Sequence, residues 1–191
     1  MSAQDNNSSL PSQPIQRILA AAHFAAQRHA GQRRKGRAAE PYINHLIEVA
    51  ELVAEASEVM DTNLLMAAFL HDTVEDTGVT PEDLRERFGS DVTSLVMEVT
   101  DDKSLPKERR KQLQVENAPK KSLRAQTLKL ADKISNLRAI LDSPPPDWNA
   151  ERKHEYFEWA QHVISGLTAP NQKLKAEFDR VYARKTEMPE K

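Results

Sequence analysis

Apolar residues recur along this chain at three- and four-residue intervals, the spacing of helix faces. Ile15, Ile18, Leu19, Ala22 and Ala26 predict a first amphipathic helix, with Gly31 as its stop. Ile43, Ile47, Ala50 and Val53/Ala54 predict a second. The run Leu64 to Leu70 is apolar on all sides and is expected to be a central, buried helix. Thr80-Pro81-Glu82-Asp83 combines an N-cap, a proline at the first helical position and acid in the first turn. Ser90, after the break at Gly89, opens Val92 to Val99, and Pro106 begins a charged helix to about Asn117. Ser122 caps a long helix through Leu141, which Pro144-Pro145-Pro146 stops. Asn149 to Gly166 and Pro170 to Arg184 form the last two helices.

Strand signals are weak. Alternating β-branched runs are missing, and no Asn-Gly or Asp-Gly hairpin turn occurs. The pattern predicts one all-α domain of about eight to ten helices, and 191 residues suffice for a single core. Its expected limits are 15–186, between a polar tail, 1–14 (MSAQDNNSSLPSQP), and a short tail, 187–191. The tail lacks the basic-then-apolar order of a signal peptide. No apolar run approaches the ~20 residues of a membrane helix.

Charge and composition narrow the chemistry. A net charge of -2 does not point to nucleic acid or an anionic membrane. The absence of cysteine excludes disulfides, thiolate metal sites and cysteine nucleophiles, and fits a cytoplasmic protein. Five glycines argue against a glycine-rich phosphate loop.

His71 and Asp72 stand together in FLHDTVEDTGV, behind the apolar run. An imidazole beside a carboxylate suits a divalent metal, provided the helix loosens there, because adjacent helical residues point about 100° apart. Glu75 and Asp76 follow within about one turn. Four ionisable groups in six residues behind a buried helix are costly without a cation. The alternative is a solvated acidic helix end. Asp132 lies beside the apolar face of Leu130, Ile134 and Leu137, with Asn136 one turn on. Its alternative is a surface pairing with Lys129 or Lys133. His45 sits in the first turn of its helix, where a capping role competes. His23, His29, His154 and His162 have no ligand partner at useful spacing.

Two segments offer substrate contacts. Gln32-Arg33-Arg34-Lys35-Gly36-Arg37 is a basic cluster just before His45. Arginine binds phosphate bidentately and stacks on bases, whereas the absence of interleaved aromatics disfavours RNA. Trp148, Arg152 and Tyr156 repeat every four residues along one stripe. Packing is the ordinary role of such a stripe; a nucleotide clamp is the functional one.

In order, His45, His71-Asp72 and Asp132 resemble the metal ligands of the HD-domain phosphohydrolases. AGQRRKG, EPYINH, AFLHDTVEDT, FGSDV, VTDDKSLPK and KLADKISNL make the resemblance more specific. They are similar to the hydrolase domain of the RelA/SpoT-homologue family, above all its stand-alone small alarmone hydrolases, from about Ile15 to Ser165. No downstream synthetase domain is expected. The resemblance implies an all-α HD fold with one Mn²⁺ on His45, His71, Asp72 and Asp132. It implies Glu75 and Asp76 as the catalytic acidic pair, Arg34 and Lys35 as nucleotide contacts, and Asn136 as a substrate-side polar residue. It also implies Arg152, Tyr156 and Trp148 near the pocket. The implied reaction removes the 3′-pyrophosphate of guanosine tetra- or pentaphosphate, so the expected partner is a small nucleotide, with no nucleic acid or membrane. Leu46 departs from the proline that relatives often carry after the histidine. Two alternatives remain: an HD phosphatase for another phosphorylated ribose, such as the 2′-phosphate of NADPH, and a non-catalytic alarmone-binding protein.

Overall fold

The computed structural model describes residues 13–188. The expected tails at 1–12 and 189–191 lie outside the described residues. Among these there are ten α-helices, two short 3-10 helices and no strand beyond a single antiparallel bridge between Arg33 and Pro41. The helices are α1 (Pro14–Arg28), α2 (Ile43–Ala56), α3 (Thr62–Leu70), α4 (Thr73–Thr77), α5 (Pro81–Phe88) and α6 (Ser90–Val99), then α7 (Lys107–Asn117), α8 (Leu123–Asp142), α9 (Ala150–Ser165) and α10 (Gln172–Ala183). The all-α expectation is borne out.

Side chains set the helix starts. Asp61 accepts from the Leu64 amide at the head of α3 (3.0 Å), and Ser122 from the Ala125 amide at the head of α8 (3.2 Å). Thr80 and Asp83 form a reciprocal capping box on α5. Asn149 and Asn171 cap α9 and α10.

Two helices organise the rest. α3 packs on α1, α2 and α6, and α8 on α2, α6, α9 and α10. In α8, Leu128, Leu130, Ile134 and Leu137 are fully buried. Truncating one of them to alanine costs roughly 2–5 kcal/mol. Because α8 is enclosed, the polar residues between its apolar rungs are buried as well: Lys129, Asp132, Lys133 and Ser135. The fold thereby forces charge into its interior, and that charge needs partners.

Several predicted details differ. In α1, Ile15 and Leu19 are exposed (59% and 60%), and the buried face is Ala21, Phe24 and Ala25. Small alanines at i and i+4 let α1 approach α3 closely, and this contact outweighs the larger aliphatics. In α2, Ile47 and Ala54 face outward. His45, Leu46, Val49, Ala50, Leu52, Val53 and Ala56 are buried, because α2 is packed on several sides. At the ends, Pro14 already belongs to α1 and the buried Met188 extends the packed chain beyond 186.

Candidate metal and phosphate site

α3 ends at Leu70, and His71 and Asp72 occupy the turn before α4. This break lets neighbouring side chains converge although a continuous helix would splay them. His45 comes from the first turn of α2 and Asp132 from the middle of α8. One ligand atom from each of His45, His71 and Asp72 lies within 4.8 Å of the other two. Asp72 Oδ2 is 3.2 Å from His71 Nε2 and 3.6 Å from His45 Nε2. Asp132 Oδ1 closes the group at 3.4 Å from His45 Nε2 and 3.8 Å from His71 Nε2.

Hydrogen bonds orient both imidazoles. His71 Nδ1 lies 2.8 Å from the Ala68 carbonyl, which only accepts, so Nδ1 carries a proton. His71 Nε2 is left buried without a hydrogen-bond partner. His45 Nδ1 donates to Ser135 Oγ (2.8 Å), whose hydroxyl donates to Glu48 Oε2 (2.6 Å). When the rings are neutral, both Nε2 atoms therefore present lone pairs to one point between two carboxylates. An orphaned buried nitrogen and two imidazoles held through Nδ1 are what a divalent ion requires. The donor set fits one.

Electrostatics agree. Burial alone lowers the His71 pKa, but Asp72 and Asp132 outweigh it and raise it to about 9. Burial opposes ionisation of Asp72, yet His71 and His45 hold it below the ordinary carboxylate range. Asp132 is likewise held low against its burial, first by Lys133 and then by the two imidazoles.

The acidic pair sits on α4. Glu75 is pushed up, chiefly by burial. Its Oε2 accepts from the Asp101 amide (3.1 Å), and its Oε1 lies 3.8 Å from Arg110 and 3.9 Å from Lys103. Asp76 accepts from Gln32 Nε2 (3.0 Å) and pairs with Lys103. Gln32 is in turn held by His29 (2.6 Å).

The basic loop packs against the end of α8. The Arg37 amide donates to the Pro144 carbonyl (3.3 Å), and the Ala38 amide to Ser143 Oγ (2.9 Å). Arg34 donates to Asn136 Oδ1 (3.3 Å), and Asn136 Nδ2 to Asp132 Oδ1 (2.6 Å), which joins the loop to the candidate ligands. Lys35 is exposed and borders an outer cavity of about 610 Å³ with Arg34, Asn136, Trp148 and Tyr156. Trp148 precedes α9, but its ring still meets Tyr156 (centroids 5.6 Å apart) and carries the Arg152 guanidinium 4.5 Å above it. Arg152 also lies 3.7 Å from Asp147. Arg34, Lys35, Glu75, Asp76, Asn136, Trp148 and Tyr156 thus line one cavity, and Arg152 reaches it only through its stacking on Trp148. Behind it, an inner cavity of about 160 Å³ is bounded by His71, Asp72, Asp132, Lys129 and Lys133.

The residues that support the site are not marked by sequence motifs. Tyr42 donates to Asp72 Oδ2 (2.7 Å), and burial followed by Asp72 pushes its hydroxyl pKa up, so it remains a donor. Glu48, Ser135, Gln32, Lys103 and Arg110 were not singled out either. Tyr42 and Glu48 each lie three positions from His45, and Ser135 three from Asp132. That helical neighbourhood was the available signal.

Residues 21–161 match the HD domain model, and the chain belongs to the HD-domain family. It is 48% identical over 165 residues to the guanosine-3′,5′-bis(diphosphate) 3′-pyrophosphohydrolase MESH1 of Xenopus tropicalis, spanning 86% of this chain and 92% of that protein. The Homo sapiens protein of the same name is 46% identical over 168 residues, 88% of this chain and 94% of its own. A bifunctional (p)ppGpp synthase/hydrolase SpoT from Escherichia coli is 38% identical over 155 residues, which span 78% of this chain and 21% of SpoT. Among solved structures, one described as a metazoan orthologue of SpoT that hydrolyses ppGpp superposes with a TM-score of 0.85. It is 43% identical and covers 93% of this chain and 98% of its own.

Proposed function

We propose that this chain removes the 3′-pyrophosphate of guanosine tetra- or pentaphosphate, with GDP or GTP and pyrophosphate as products. One observation carries the reading: His45, His71, Asp72 and Asp132 converge, and Glu75 lines both the cavity that holds His71, Asp72 and Asp132 and the one bordered by Arg34 and Lys35. The names of the MESH1 relatives point to the same chemistry.

His45, His71, Asp72 and Asp132 are assigned as metal ligands, and the ion as Mn²⁺. Two imidazoles with two hard carboxylates suit it, though such a set selects among divalent ions weakly. When bound, the ion polarises a phosphoryl oxygen and lowers the pKa of water.

The side chains do the remaining work. Glu75 takes the proton of the attacking water, its raised pKa bringing it nearer the working pH. Asp76, held by Gln32 and Lys103, orients that water. The water oxygen bonds to phosphorus, the bond to the ribose 3′-oxygen breaks, and that oxygen takes up a proton. Arg34, Lys35 and Asn136 hold phosphate and ribose, and Tyr156, Trp148 and Arg152 flank the base.

Among the described residues no helix is long and apolar enough to cross a membrane. A cysteine-free chain acting on a nucleotide fits the reducing cytoplasm.

The test supplies metal-free protein with Mn²⁺ and either guanosine tetraphosphate or NADPH, and resolves the products by anion exchange. Pyrophosphate release from the tetraphosphate is expected. Turnover of NADPH alone reassigns the substrate to a 2′-phosphorylated ribose. Failure with both substrates and every common divalent ion removes the enzyme reading.

A further inference from the structure

His29 closes the C-terminal end of α1 and is buried (2% exposed), yet it is none of the candidate ligands. Its ring stacks on Tyr42, with centroids 5.0 Å apart and planes inclined by 18°. Its Nδ1 lies 2.6 Å from Gln32 Oε1, and its Nε2 has no hydrogen-bond partner among the described residues.

The order of donors follows from the far end of this contact. The Asp76 carboxylate only accepts, so the Gln32 amide turns its NH₂ to Asp76 Oδ2 (3.0 Å) and its carbonyl oxygen to His29. That oxygen also only accepts, so His29 Nδ1 carries a proton and donates. Reversing the amide would set a carbonyl oxygen against the carboxylate and one N–H against another. The backbone fixes the middle of the row. The Gln32 amide donates to the His29 carbonyl (2.9 Å), and the Tyr42 amide to the Gln32 carbonyl (3.0 Å).

The other oxygen of Asp76 is held differently. Lys103 pairs with Oδ1, but its side chain is 48% exposed and ends a flexible four-carbon stem. Such an ammonium follows the carboxylate as it turns. A planar amide held at both ends resists the turn. Gln32 is therefore the contact that sets the angle of the Asp76 carboxylate, and His29 sets Gln32.

We propose that His29 is a positioning residue: it locks the Gln32 amide in the orientation that donates to Asp76, and so aims the Asp76 carboxylate at the attacking water. The task of Asp76 rests on the pyrophosphohydrolase reading above; the row of hydrogen bonds does not.

Two variants interrupt the row at different points. His29→Phe keeps a ring on Tyr42 but removes the donor. Gln32→Met keeps the length of the side chain and removes its amide. Each is expected to lower kcat for guanosine tetraphosphate about tenfold, the scale of one hydrogen bond to a charged group. KM and metal content stay within about threefold of the unmodified protein. The double variant falls no further than the larger single one, because the two residues act on Asp76 in series. Unchanged kcat in both single variants overturns the proposal. So does a multiplied loss in the double variant, or a loss of substrate or metal binding as large as the loss of kcat, which assigns His29 to packing.

NMR of the Zn²⁺-loaded protein, whose ion is diamagnetic, tests the row without turnover. The imidazole nitrogen shifts of His29 are expected to place a proton on Nδ1. The order parameter of the Gln32 side-chain amide is expected near the rigid limit of ~0.85, falling below ~0.6 in His29→Phe. An Nε2–H tautomer, or an amide equally ordered in His29→Phe, overturns the row even if the unmodified protein is active. Absence of turnover by the unmodified protein overturns the substrate reading instead, and the row then stands or falls on the NMR result.

Discussion

Ser135 stands between His45 and Glu48, 2.8 Å from the imidazole Nδ1 and 2.6 Å from the carboxylate Oε2. A carboxylate only accepts, so the hydroxyl proton points to Glu48 and the imidazole proton to Ser135. The chain continues through Arg138, which bonds Glu48 at 2.9 Å and Glu177 of α10 at 2.5 Å. One candidate ligand is thereby fixed by three helices. Ser135→Ala frees the ring and leaves Glu48 without its donor. Metal affinity is expected to fall about 10- to 100-fold, read by competition with a chelating dye. Ser135→Thr restores the hydroxyl and most of the affinity. An unchanged affinity in Ser135→Ala means that the relay does not position His45.

His71 makes a prediction about protons. In metal-free protein, burial disfavours its charged form, but Asp72 and Asp132 prevail and hold the pKa at about 9. At pH 7.5 the metal-free ring therefore carries a proton that an ion must displace. Calorimetric titration in two buffers of different ionisation enthalpy is expected to show release of about one proton per ion. Metal affinity climbs with pH until the ring is neutral. Stability has the opposite sense. The contribution of a raised imidazole pKa is complete below ~6.5 and is lost as pH rises through about 9. Metal binding without proton release contradicts this assignment.

The sequence carried the centre of the site better than its edges. His71-Asp72 and Asp132 were legible because ionisable groups beside apolar helical runs break the pattern that burial imposes. The helix starts at Thr80 and Ser122 are legible from capping chemistry, which is local. The face of α1 was not. Ile15 and Leu19 were expected inside but are exposed, while Ala21 and Ala25 face α3. Which face wins depends on how closely a partner helix approaches, and one helix alone does not contain that information. Gln32 and Lys103 were missed for a related reason. They reach Asp76 across 44 and 27 residues of chain. Only the folded arrangement brings them together. For Lys129 and Lys133 the sequence offers only a surface pairing with Asp132, because nothing local announces that α8 is enclosed.

Asp72 and Glu75 are separable by mutation. Asp72→Ala removes an oxygen that lies 3.2 Å and 3.6 Å from the two imidazoles, so metal and activity are expected to be lost together. Glu75→Gln keeps an acceptor for the Asp101 amide but cannot take a proton. Metal content is expected to hold while kcat falls about 10²- to 10⁴-fold. Stability supplies a second readout. Burial, followed by Asp72 and neighbouring acids, raises the Glu75 pKa. A raised carboxyl pKa favours folding below the ordinary ~4.3, and that benefit is lost as pH rises through the folded value. In metal-free protein, Glu75→Gln is therefore expected to gain more in Tm at pH 7 than at pH 4. Equal metal loss in both variants moves Glu75 among the ligands.

Gly36 tests the basic loop apart from the metal. A Cβ built there falls 2.1 Å from the Ser143 carbonyl oxygen, a backbone atom that follows α8. The loop packs this closely because residue 36 has no side chain, and Arg37 and Ala38 bond the same segment. Gly36→Ala must push the loop away from α8, carrying Arg34 and Lys35 with it. Forcing a group into a tight contact costs typically ~1–3 kcal/mol, and a lower Tm follows. The Arg34–Asn136 hydrogen bond, already 3.3 Å long, is expected to break. KM for the nucleotide is expected to rise about tenfold, the loss of one charge-assisted contact, while metal content stays constant. His45, His71, Asp72 and Asp132 lie on α2, on the turn after α3 and on α8, outside the displaced segment. A variant with normal KM but reduced metal affinity assigns the loop to shaping the metal site instead of holding the nucleotide.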